Sequence, residues 1–88
     1  MTVKYETQVG SAVVIARQPY FLGGEHRQVL VNGEQRLSII PQPSAKGAHS
    51  NLFEIATIRG ERLEIVEAFC TEERIAQIVG ELVLNGQL

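Results

Sequence analysis

The sequence contains no tryptophan, one cysteine and three prolines, and aromatic residues make up only 6% of it. Each scarcity excludes something. With Cys70 as the single thiol, no intrachain disulfide can form and no multi-cysteine zinc centre can be built. The missing disulfide is compatible with a reducing compartment. Few aromatics leave the core to Val, Ile and Leu. Long apolar runs are also absent. The longest, SAVVIA from Ser11 to Ala16, falls far short of the ~20 residues that span a bilayer. The N-terminal MTVKYETQVG alternates polar with apolar residues and has no apolar h-region, so it does not read as a secretory signal. Charge of either sign is modest, with a net of −2. That balance argues against indiscriminate DNA or RNA binding. Together these absences point to a soluble cytoplasmic protein with no membrane role.

What remains has ordinary globular composition, 44% apolar and 20% charged. Its 88 residues make one domain with a modest core. In TVKYETQV, Val3, Tyr5, Thr7 and Val9 alternate with polar residues, the period of a half-buried strand. SAVVIARQ is apolar on both faces across Ala12 to Ala16, which predicts a central strand covered on both sides and ended by Pro19. Tyr20, Phe21 and Leu22 then lead into a turn at Gly23 and Gly24.

QVLVNGEQRLSII carries the strongest hairpin signal, Asn32-Gly33. Its register is contested. A two-residue loop sets Val31 opposite Glu34 and Val29 opposite Arg36. A four-residue loop sets Leu30 opposite Leu37. Pro41 and Pro43 are expected to stop that strand, leaving PQPSAKGAHSN, residues 41–51, as a connecting loop that crosses an end or face of the sheet. NLFEIATIRGERLEIVEAF reads as a second hairpin turning at Gly60. Its second strand sets Leu63, Ile65, Glu67 and Phe69 on one face.

TEERIAQIVGELVLNG predicts the one helix. Thr71 caps it, Glu72 and Glu73 favour its N-terminal dipole, and Ile75, Ile78, Val79, Leu82 and Val83 form one apolar face. Asn85-Gly86 ends it. The expected class is α+β: a curved antiparallel sheet of about five or six strands, in two or more hairpins, with one C-terminal helix packed on it. Five or six strands at about 4.8 Å spread over roughly 24–29 Å. A helix is only about 10–12 Å across. The sheet must therefore curl around the helix, take a loop as second cover, or bury its remainder against a copy of itself or another protein.

Catalytic patterns are sparse. His26, His49 and Cys70 match no metal-ligand spacing, and no cofactor is implied. Cys70 lies at a helix N-terminus, which favours thiolate, but Glu67, Glu72 and Glu73 oppose it. Two groups of residues stand out as binding candidates. His26 and Arg27 follow Gly23-Gly24, and Lys46 and His49 lie in the 44–51 stretch, so a small anionic ligand such as a nucleotide would be sought there. On the helix, Gln77, Gly80 and Leu84 lie off the main apolar face. Gly80 costs about 1 kcal/mol relative to Ala in a helix interior, which suggests an interface where another backbone approaches. The expected function is that of a small non-enzymatic interaction or inhibitor-like accessory protein, of the size common in bacteria and phage. It would act through a homodimer or a protein partner, with small-ligand binding as the alternative.

Overall fold

The computed structural model describes residues 5–8, 12–44 and 47–88, with the side chains of 5–8 and 48–50 outside the description. Six strands form one antiparallel sheet in chain order: β1 (Tyr5–Gln8), β2 (Val13–Pro19), β3 (Glu25–Val31), β4 (Glu34–Ser44), β5 (Gly47–Arg59) and β6 (Arg62–Cys70). One helix, α1 (Glu72–Leu84), follows β6 and packs back on the sheet against β5 and β6. The expected α+β class is what forms. Among the described residues, no helix is long and apolar enough to cross a membrane.

The contested hairpin takes the two-residue turn, and the four-residue loop with Leu30 opposite Leu37 does not form. Asn32 and Gly33 have φ of 52° and 82°, as a two-residue turn of this type requires. Val31 therefore faces Glu34 and Leu30 faces Gln35. A bulge then shifts the register, so that Val29 meets Leu37 instead of Arg36. Turn chemistry decides the tip and apolar pairing decides the body, with one extra residue absorbing the conflict.

The expectation for residues 41–51 is overturned. Pro41 and Pro43 do not stop β4, which pairs onward with β5 through Pro41↔Phe53, Pro43↔Ala48 and Ser44↔Gly47. The reason is local. Pairing with β3 ends at Arg27↔Ile39, so beyond Ile39 the strand has a neighbour on one side only. There a proline's missing N–H costs no ladder bond, and a bulge between the two prolines accommodates them. Gly24 closes the other side: at its φ of 76°, an added Cβ would stand 2.9 Å from Pro41 Cγ. Residues 41–44 and 47–51 therefore lie in paired strands and are not a cover for the sheet face.

The core lies between the helix and the middle strands. Val29, Leu37, Ile39 and Ile55 from β3, β4 and β5 meet Cys70, Ile75 and Ile78. At about 25 cal/mol per Å² of apolar surface removed from water, these buried side chains stabilise the packing of the helix on the sheet. The opposite, open face carries Val14, Leu30, Ile40 and Ile58, all half-buried, with Ala16 and Ala56 buried among larger neighbours. β2 is thus not covered on both sides as its composition suggests; of its residues only Ala16 is buried. The helix is capped as read. Thr71 Oγ1 accepts from the Arg74 N–H at 3.2 Å. At the other end, Gly86 N–H bonds to Val83 O and Gln87 N–H to Leu82 O, a Schellman closure with Gly86 at φ 65°.

Candidate functional site

The two anion candidates that can be placed do not converge. His26 and Arg27 are neighbours on β3 and therefore point to opposite faces. On the open face, the Gln18 amide donates to His26 Nδ1 at 3.3 Å, which leaves the ring proton on Nε2 for donation to Ser38 Oγ at 2.8 Å. Burial lowers the imidazole's affinity for a second proton. On the helix face, Arg27 makes a two-pronged bond to Glu72, at 3.0 and 3.1 Å, and stacks 4.9 Å over the Phe53 ring. Both groups are thus already partnered. Lys46 lies outside the described residues. His49 falls on β5 rather than in a loop, and its side chain is outside the description. Glu25 and His26 likewise lie on β3, with the Gly-rich turn ending at Gly24.

Cys70 is buried and donates to Glu67 Oε2 at 3.4 Å. Burial, and then that carboxylate, push its thiol up to about 11. Glu67 is in turn clasped by Arg74 through Nε at 2.8 Å and Nη2 at 2.9 Å, and those bonds hold its carboxyl below the usual range. The pair ties the end of β6 to the first turns of the helix. It also corrects the expected alternation in β6. Bulges around Val66 and Phe69 break it, so Glu67 lies across from Ile55 on the helix face while Leu63 and Ile65 lie on the open face with Ile58 and Ala56.

Of the three interface candidates, two come together. Gly80 and Leu84 line an open groove of about 400 Å³ between the helix and β2–β4, with Ile15, Ile39, Val79 and Val83. Arg27 and Glu72 also border it. Gln77 is exposed outside it and accepts from Arg74 Nη1 at 3.4 Å. Val83 is correspondingly more exposed than its place on the apolar face suggests, because the sheet does not reach it. A Cβ on Gly80 would meet nothing within 4 Å, so no neighbouring part of the fold requires a glycine there.

The most distinctive surface is one that residue-by-residue reading passed over. β6 is the last strand of a meander and therefore an edge. It exposes Leu63 at 60%, Ile65 at 58%, Val66 and Phe69. Phe69 is 65% exposed yet sits at φ 55°, a left-handed conformation that costs a bulky residue energy. Its N–H is held by the side-chain oxygen of buried Gln42 at 2.8 Å. The signal for this surface appears once the strand order is known: in a meander with one helix, the final strand's residues facing away from that helix have nothing among the described residues to cover them. Among the described residues, no group of three or more His, Cys, Asp or Glu is placed to hold a metal. No family model, curated protein or solved structure matches the chain.

Proposed function

We propose that the chain is a small non-enzymatic interaction domain that docks a protein through the apolar edge of its sheet. The observation that carries this reading is the exposure of Leu63, Ile65, Val66 and Phe69 on a single edge strand. Single exposed apolar residues are normal on any protein, but four on one strand that has no second neighbour among the described residues offer a template for another chain. The strained Phe69 supports the same reading, since strain concentrates where a side chain must be presented. Cys70 supports it from the other side: a buried thiol titrating near 11 is a poor nucleophile at neutral pH. An accessory or inhibitor-like role in a bacterial or phage-infected cytoplasm fits a domain whose work is done by a surface.

Photocrosslinking in the producing cell tests this. A photoreactive residue at Ile65 or Phe69 should yield protein adducts, and one at exposed Glu73 on the helix should not. No adduct at either apolar position would sink the reading. The groove beside Gly80 and Leu84 favours a second one, a small apolar ligand, because its volume falls in the ligand-pocket range. An anionic ligand draws less support, with Arg27 neutralised by Glu72. A thermal-shift screen of small amphiphiles separates the two, since a ligand at 100 times its Kd adds about 2.7 kcal/mol.

A further inference from the structure

β6 is regular only in its first half. Arg62, Leu63, Glu64 and Ile65 pair in step with Arg59, Ile58, Thr57 and Ala56, and the bulge at Val66 then interrupts the ladder. The turn between β5 and β6 has two residues, Gly60 and Glu61, so the flanking pair Arg59 and Arg62 exchanges both ladder bonds. Antiparallel alternation makes Thr57 and Glu64 the next such pair. The N–H and C=O groups of Leu63 and Ile65 consequently face away from β5, toward the free edge.

We infer that this edge takes a second copy of the chain, β6 against β6, antiparallel about a two-fold axis through Leu63. The inference rests on the interaction reading above and names its partner. Charge selects the register. With the axis at Leu63, Arg62 stands opposite Glu64 of the second copy, and Glu64 opposite its Arg62. Both side chains are well exposed, at 82% and 70%, and touch each other only loosely, at 3.8 Å. Leu63 meets its own counterpart on the open face. An axis at Glu64 instead opposes two carboxylates. An axis at Ile65 sets Leu63 against Glu67, which Arg74 already holds, and drags the Val66 bulge into the ladder. Only the Leu63 axis uses the straight segment and pairs unlike charges. Directly opposed residues share a face, so the two open faces become continuous and their apolar rows join across the new pair.

Sedimentation equilibrium tests the pairing. The chain should reach twice its 9.7 kDa mass as concentration rises. Arg62→Glu and Glu64→Arg should each weaken dimerisation about tenfold, by turning two attractive cross-strand pairs repulsive. The double variant should restore it. Leu63→Pro removes an outward N–H while leaving the β5 ladder intact, and should give a folded monomer by circular dichroism. A wild-type chain that stays monomeric at its highest soluble concentration overturns the pairing, as does a dimer indifferent to the charge reversals. The two readings separate cleanly. Crosslinks from Ile65 to other proteins, with a monomeric chain, remove the self-pairing and keep the interaction function. Absence of all crosslinks removes both.

Discussion

Replacing Phe69 by glycine should leave the protein more stable than replacing it by alanine. Both variants lose the same ring, so whatever that exposed side chain contributes cancels between them. Both keep the N–H that Gln42 holds at 2.8 Å. The difference is the backbone. At an ordinary φ, glycine is worse than alanine by about 0.5–1 kcal/mol, because it loses more freedom on folding. At Phe69 φ is 55°, where a Cβ costs roughly 1–2 kcal/mol. Subtracting the first from the second leaves glycine ahead by roughly 0.75 kcal/mol at the middle of the two ranges, with extremes of about 0 and 1.5. The sign itself is the test. Urea denaturation reads it directly, since slopes of about 1–3 kcal/mol per molar turn this gap into a midpoint difference of some tenths of a molar. An alanine variant with a midpoint above that of the glycine variant refutes the claim of strain. It would also withdraw the support that Phe69 lends to a docking role.

Three further outcomes follow from the same geometry. Ile55→Ala, at a position with no exposed surface, should cost about 2–5 kcal/mol, whereas Ile65→Ala on the exposed edge should stay within about 0.5 kcal/mol by the same denaturation assay. Gly80→Ala should stabilise the isolated chain by up to about 1 kcal/mol, because the added methyl meets open space; destabilisation would mean that the groove beside it is closed in solution. Acid should act through two groups, both favouring the folded state at higher pH. Glu67, held low by Arg74, contributes stability above its unfolded pKa near 4.5 and loses it as pH falls through the lower folded value. His26, kept neutral by burial, contributes above 6.5 and loses it as pH drops below that. Glu67→Gln should flatten the urea-midpoint profile below about pH 4.5, and His26→Gln should flatten it just below 6.5.

The fold was largely legible because its signals are local. Asn32-Gly33, Gly23-Gly24 and Gly60 mark turns where positive φ is needed, and the spacing from Thr71 to Gly86 marks a capped amphipathic helix. What the residues did not reveal depends on neighbours. Pro41 and Pro43 break a strand paired on both sides, but here the pairing of β4 with β3 has already stopped at Arg27↔Ile39, so they are harmless. The period in β6 misassigned Glu67, because two bulges reset the alternation and no residue type announces a bulge of this kind. The candidate site fared less well for the same reason. His26 and Arg27 are adjacent in sequence and therefore on opposite faces of the sheet. The exposed row on β6 emerges only once strand order is known.

That strand order also reshapes the problem of cover. The helix lies over β5 and β6 on one face, and its own groove side, with Val83 and Leu84, overhangs the strands toward β2. Residues 41–44 and 47–51 extend the sheet instead of covering it. Of the three remedies for an under-covered sheet, the loop is therefore removed. Curvature contributes, since β4 and β6 approach one another across β5. Yet curvature cannot bury Leu63 and Ile65, because they stand at the rim on the face away from the helix. The bulges at Val66 and Phe69 already spoil the second half of β6 for pairing, in the way natural edges are blunted. Its first half carries neither a bulge nor a proline, and its two charges are of opposite sign and two residues apart. An edge blunted along half its length and self-complementary along the other half restricts pairing to one register, and restricts the partner to a strand with the same charge order read in reverse.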